Sequence, residues 1–299
     1  MKNPIRAAGC LLLVVCTAQV WAEEDESPWM IDGELAAGYD SNLTRAGYKR
    51  DVVEDEQLVG SMAAAWNHEF GMMSAITLRG FLEGEAYDEV DTLNRASAGV
   101  QGIYRWQHSL GFAAPFFQVS VAGQVDDVAS GLRDSNRYTV QGFMTKRLTD
   151  ALRYSVGAEG SYQEADGRVF DIAQGRLFVN GDLALTPNWA MYGTWSLISG
   201  DTVSSAQLLF CNGAAAGDIY GLINAAEEIE VDPALNEALC GTWLSYRIPA
   251  TSHAFVLGFN RGFGHNMSFD ISAQHVIVNA DGNNEYQRTL VRAGVLARF

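Results

Sequence analysis

The sequence predicts an all-β fold, a transmembrane antiparallel up-and-down β-barrel of twelve strands, with ten or fourteen strands as the alternatives. Three observations predict it. Apolar and polar residues alternate with period two along most of the chain, the alternating segments are mostly longer than ten residues, and every second connection is a tight turn. Period two gives a strand one apolar and one polar face. Strands of soluble proteins cluster near five or six residues, whereas crossing a bilayer at a tilt takes roughly 9 to 11.

Before the first strand, Lys2 and Arg6, the apolar run from Ala7 to Val15 and the small residue closing Val20-Trp21-Ala22 read as a cleaved signal peptide over residues 1–22. Its apolar run is too short to span a bilayer as a helix. Leu13-Val14-Val15-Cys16 and Ala7-Ala8-Gly9-Cys10 are poor lipidation signals, the first because Val15 is bulky and the second because it precedes the apolar run. Export leaves one domain, residues 23–299, with Cys211 and Cys240 as its cysteines. An oxidising compartment makes a disulfide between them the expectation, and closing that loop would stabilise by roughly 3 to 4 kcal/mol.

In chain order the expected strands are 29–39, 56–67, 73–87, 95–107, 115–126, 136–147, 152–163, 173–185, 189–200, 250–263, 267–279 and 287–299. The fourth sets Arg95, Ser97, Gln101 and Arg105 on one face, and the seventh sets Arg153, Ser155, Glu159, Ser161 and Gln163 opposite Tyr154, Val156 and Tyr162. In the last, Arg288, Arg292 and Arg298 oppose Val291, Ala293, Val295 and Ala297. Alternation blurs in 189–200, and His275 falls on the apolar face of 267–279. The clearest tight turns are His68–Met72, Leu148–Ala151, Thr186–Asn188 and Gly264–Asn266. Longer polar loops, at 40–55, 88–94, 127–135, 164–172, 201–249 and 280–286, occupy the other side, which puts the outermost strand ends on the short-turn side. An open edge in lipid would strand backbone donors and acceptors, so the first strand should pair with the last. Tyr39, Tyr104, Trp106, Tyr154, Tyr162, Trp189, Trp195, Phe255, Phe259 and Phe299 would then supply aromatic girdles.

Arg292-Ala-Gly294-Val-Leu-Ala297-Arg-Phe299 resembles the C-terminal signal by which bacterial outer-membrane barrels are recognised by their assembly machinery. Arg292, Gly294 and Phe299 carry that resemblance, and Ala297 is smaller than the pattern usually has. Ala37-Gly38-Tyr39-Asp40-Ser41-Asn42 and Glu285-Tyr286-Gln287-Arg288 are similar to the barrel domain of the surface lipoprotein assembly modifier family. That family carries a helical-repeat domain ahead of its barrel, for which residues 23–28 leave no room. Openings of this kind also look like those of other export barrels, and Asp-Ser-Asn equally starts an ordinary turn. The resemblances imply an outer-membrane location, contact with its lipid and lipopolysaccharide, and a possible periplasmic export partner.

Alternation assigns Arg79, Arg95, Arg105, Arg137, Arg147, Arg153, Arg176, Arg288, Arg292 and Arg298 to the lumen, with Glu34, Glu83, Glu85, Glu159 and Asp182. Gln101, Gln118, Gln124, Gln141, Gln163, Gln174 and Asn180 join them. Eight strands make an interior that side chains fill and sixteen leave an open channel, so twelve imply a narrow or occluded pore. The arginines suit either small anionic or acidic-saccharide solutes in transit or a structural network with the acids across the lumen. The 201–249 loop is expected to gate or plug the mouth.

Other function classes find less support. A net charge of −16 argues against nucleic acid. Asp40, Ser41 and His253 near one rim are the available serine–histidine–carboxylate set, but nothing in the sequence fixes their geometry, so no catalytic residue is assigned. No cofactor is implied, and no metal spacing is present. The acidic runs Asp51–Glu56, Asp88–Asp91 and Glu227–Asp232 read as solvated surface before they read as divalent-ion sites.

Overall fold

The computed structural model describes residues 27–299, so the expected signal peptide lies outside the described residues. Twelve antiparallel strands close into one barrel. They are β1 (Trp29–Asp40), β2 (Asp55–Glu69), β3 (Ser74–Tyr87), β4 (Arg95–Gln107), β5 (Phe116–Val128), β6 (Ser135–Arg147), β7 (Leu152–Ala165), β8 (Ile172–Thr186) and β9 (Trp189–Leu209). After a short external strand, β10 (Glu228–Val231), the wall resumes with β11 (Thr242–Phe263), β12 (Met267–Ala280) and β13 (Asn284–Arg298). Every wall strand pairs with its neighbours, β9 pairs directly with β11, and β13 returns to β1 from Asp32↔Arg298 to Asp40↔Leu290.

Register fixes the size of the barrel. Carrying the pairings around the wall from Leu35 returns to the line of β1 about 16 residues further on, a shear that tilts twelve strands by about 43° and gives a backbone diameter of about 25 Å. Outward positions carry the exposed Leu35, Met62, Leu82, Val100, Val140 and Leu257, an apolar belt that water would not favour. His275 lies on this outer face, where its Nδ1 sits 2.9 Å from Thr289 Oγ1 across the β12–β13 pair. That hydrogen bond is why a histidine is tolerated at an apolar position.

Two strands depart from expectation. The 201–249 segment is not a loop throughout, because β9 runs on to Leu209 and β11 begins at Thr242. Residues 202–206 are buried without interruption, as are 243–246 and 248, so period two disappears where both faces are covered. β9 leaves its partner β8 after Gly200, whose φ of 139° and a neighbouring Ala173 carbonyl only 2.1 Å from where a Cβ would sit exclude any other residue without rearrangement. Opposite the bend, Pro249 pairs with Asp201, and a missing N–H is tolerated where a strand changes partner.

Above this hinge, β9, β11 and β10 form a three-stranded plate, completed by helices α1 (Tyr220–Ala225) and α2 (Pro233–Ala238) and stapled by a Cys211–Cys240 disulfide with 5.2 Å between Cα atoms. α2 starts where the chemistry allows: Pro233 fills the first turn, and Asp232 Oδ1 accepts from the Ala234 and Leu235 amides at 3.1 and 3.3 Å. The hydrophobic core of the molecule sits here, outside the barrel. One cluster joins Ile219 and Leu222 to Leu244, Tyr246 and Ile248, a second joins Val90 to Leu235 and Trp243, and a third joins Val169 and Phe170 to Val203.

Candidate functional site

All ten arginines named from the sequence lie on the inner face, and seven meet an acid there. Arg95 and Arg137 share Asp126, at 3.7 and 3.2 Å, Arg153 stands 3.9 Å from Asp182, and Arg176 stands 3.6 Å from Glu159. Arg288 grips Asp40 with two guanidinium nitrogens, Arg292 bonds Glu34, and Arg298 donates to Asp32 at 2.8 Å. Arg79, Arg105 and Arg147, all nearer the short-turn end, lie over the rings of Phe81, Phe116 and Phe112 at 5.5, 5.7 and 5.8 Å.

Acids missed in the sequence change the charge of this surface. Asp32, Asp40, Asp126 and Asp270 face inward alongside Glu34, Glu83, Glu85, Glu159 and Asp182, so the lumen is close to electrically balanced rather than basic. Asp32 and Asp40 sit at the two ends of β1, Asp126 near the end of β5, and Asp270 on a strand whose alternation His275 blurs. Asp40 and Asp126 are positions where strand and turn chemistry look alike. The amides expected inside are used to tie this wall together: Gln141 donates to Glu159 at 2.9 Å, Arg137 to Gln163 at 2.8 Å, and Gln174 to the Asp201 carbonyl at 2.7 Å. Within the lumen, Gln57, Glu85, Ser272, Gln274 and Arg292 border a cavity of about 20 Å³, room for a water molecule or two.

The outer mouth is covered by the segment above the Gly200–Pro249 hinge, which forms a lid. It touches every other long loop. Ser205 N donates to Thr44 O at 2.9 Å, Arg50 forks onto Asp218 at 2.5 and 2.7 Å, and Thr92 Oγ1 donates to Ala234 O at 2.9 Å. Arg133 meets Asp232 at 2.5 Å, Arg247 donates to the carbonyls of Arg168 and Asp171 at 2.9 and 3.0 Å, and Asn284 Nδ2 reaches Ser204 Oγ at 3.5 Å. β3 and β4 stand across the barrel from β9 and β11, so the contact through Thr92 means the lid spans the full mouth. Burial lowers the Arg133 pKa against the pull of Asp232, and burial likewise raises the carboxyl of Asp51, which lies fully covered beneath the lid with Arg50 Nε at 3.5 Å.

The two segments carrying the export-family resemblance meet at one place, the outer end of the β13–β1 seam. Asp40 holds Arg288, Ser41 Oγ accepts from Thr289 N at 2.8 Å, and Asn42 Nδ2 donates to Gln287 O at 3.1 Å. Asn42 Oδ1 also accepts from Ala46 N at 2.9 Å, closing the turn. At the other end of the seam, Phe299 and Ile31 exchange backbone bonds at 2.8 and 3.0 Å, and a Cβ on Gly294 would stand 2.6 Å from that of Ala36. The resemblance is therefore accounted for by barrel closure.

The serine–histidine–carboxylate set is not assembled. His253 stacks on Trp195 on the outer face, while Asp40 points inward and is committed to Arg288. The acidic run at Asp88–Asp91 donates its amides inward, with Asp55 accepting from Asp88, Glu89 and Val90 at 3.0 to 3.2 Å. Among the described residues, no three His, Cys, Asp or Glu side chains group as metal ligands.

No protein-family model matches the chain, and no curated protein matches its sequence. Solved structures do match. An outer membrane channel from Pseudomonas putida F1 superposes with a TM-score of 0.57 at 11% identity, over 92% of this chain and 97% of that one. The KdgM porin in complex with disordered oligogalacturonate gives 0.38 at 10% identity over 90% and 99%, and the NanC porin 0.41 at 11% over 88% and 98%. Only the first score bears on the architecture, and at that identity the likeness is one of fold. The chain has the closed twelve-stranded antiparallel barrel of outer-membrane proteins.

Proposed function

We propose that the chain is an outer-membrane channel, closed at its external mouth in this conformation, that passes small anionic or acidic-saccharide solutes when the lid is displaced. The observation that carries this reading is a polar, arginine-bearing lumen under a roof that joins the wall through β9 and β11 alone. A lumen that never meets solute gains little from ten guanidinium groups. Arg79, Arg105 and Arg147 would receive the solute at the periplasmic end, and Arg95, Arg137, Arg153, Arg176, Arg288, Arg292 and Arg298 would exchange their carboxylate partners for its acidic groups, with Glu83, Glu85 and Glu159 setting the counter-charge.

The apolar belt would contact membrane lipid and lipopolysaccharide, and Arg292, Gly294 and Phe299 would present the assembly machinery's recognition strand. Residues 1–22, read as a signal peptide, would put the chain on the route to the Gram-negative outer membrane. A second reading, an occluded structural or partner-dependent export barrel, is favoured by the seven wall ion pairs.

Planar-bilayer conductance separates the two. The full barrel should show small, intermittent currents, and a variant with residues 210–241 replaced by a short turn should show larger, steadier ones that favour anions. No conductance above background from either form would end the channel reading.

A further inference from the structure

We infer that Arg95 is the outer anion seat of the lumen, a place where a solute carboxylate docks beneath the lid with Arg137 beside it. The inference rests on the channel reading and assigns that reading a stopping point.

Arg95 and Arg137 are two guanidinium groups around one carboxylate. Asp126 is already well supplied, since Oδ1 accepts from Ser97 Oγ at 2.6 Å and Gln124 Nε2 at 2.7 Å, Oδ2 lies 3.4 Å from Ser135 Oγ, and Arg137 approaches to 3.2 Å. Arg95 reaches it through Nη1 alone, at 3.7 Å, while its Nε and Nη2 are buried and meet no acceptor. Those two nitrogens lie on one edge of the guanidinium, the edge that takes a carboxylate in parallel hydrogen bonds. Glu85 stands opposite Arg95 in the β3–β4 register but forms no ion pair with it among the described residues. Arg137 is fixed for its part by Gln163, which accepts from Nε at 3.2 Å and Nη2 at 2.8 Å.

Position explains why this edge is spare. Arg95, Asp126 and Arg137 sit at the outer ends of β4, β5 and β6, and the loops joining these ends carry the lid's contacts: Val90 and Leu93 against Leu235 and Trp243, Thr92 on Ala234, Arg133 on Asp232. Two donors are thus buried unsatisfied just below the rim that the lid covers, a cost that an incoming acceptor removes. An anionic solute that reaches the outer end of the lumen supplies that acceptor.

The test uses the full chain, purified and refolded in detergent micelles, with D-glucuronate as probe and glucose as the neutral control in equilibrium dialysis. Wild type should bind glucuronate saturably and ignore glucose. Arg95→Gln should weaken binding roughly tenfold, Arg95→Lys should fall between, and Arg261→Gln, whose side chain lies over the Trp189 ring on the outer face, should leave it unchanged. Asp126→Asn should strengthen binding, because it removes the competing carboxylate; a purely structural cluster would weaken in the same variant. Heat-dependent gel migration confirms that each variant is a folded barrel, and if Arg95→Gln fails that check the Lys and Asp126→Asn variants decide. Unchanged affinity in Arg95→Gln, weaker affinity in Asp126→Asn, or wild-type conductance without glucuronate binding each overturns the seat. Binding without any conductance keeps the seat and removes the channel.

Discussion

The wall and the lid are built from the same two strands, β9 and β11, yet they obey different rules. Below Gly200 and Pro249 each strand has one face toward the outer belt and one toward the lumen, and β11 alternates accordingly, while β9 with Trp195, Leu197 and Ile198 does so less cleanly. Above the hinge both faces are covered by protein, and the residues become uniformly buried, small or apolar. A strand's pattern thus reports what lies on its two sides rather than the strand itself. The stabilising forces differ in the same way. The wall is held by a closed backbone ladder and charged pairs facing the lumen, and the lid by three apolar clusters and a disulfide, as in a small secreted domain.

Perturbing each region should therefore give distinguishable failures. The largest effect is expected from Asp40→Ala, which leaves Arg288 buried without its partner at the seam and should cost about 3 to 5 kcal/mol of barrel stability. Urea titration of the folded gel band would measure it, and a change under about 1 kcal/mol would mean that the ladder alone holds the seam. Next, replacing Cys211 and Cys240 by Ser should destabilise the lid by about 2 to 4 kcal/mol while the barrel midpoint stays put. Limited proteolysis within 210–241 reads the lid, and a parallel fall in the barrel midpoint would show that the two regions unfold as one.

Smaller effects sharpen the contrast at the lid's rim. Arg50→Ala removes a bidentate but largely solvated pair with Asp218 and should cost about 1 kcal/mol or less, seen as a modest rise in the same proteolysis rate. The smallest is a pH dependence. Burial raises the Asp51 carboxyl above the ordinary aspartate range, so the closed state binds its proton more tightly than an open one. Closure should then be firmest in acid, below the ordinary aspartate value, and weaken as pH rises through the raised one. Asp218, held low by Arg50, works in the opposite direction but is too exposed to dominate. Asp51→Asn should flatten the profile; a profile unchanged in that variant would assign the titration elsewhere.

Twelve wall strands, their two faces, the inward placement of ten arginines and the closure of β13 on β1 follow from alternation, strand length and the cost of an open edge in lipid, all of which are local or general. Nothing local marks the rest. Val203 and Leu244 read as loop because the partners that cover them come from elsewhere in the chain, Phe170 and Leu222 among them. Asp126 reads as a strand end until folding brings Arg95 and Arg137 to it from β4 and β6. The sequence by itself determined which side of the wall the residues of the cleanly alternating strands face, since a two-residue period allows no third choice. Only the tertiary structure decided which inward charges meet and what closes the mouth, because both depend on register and on chain folded back over the rim.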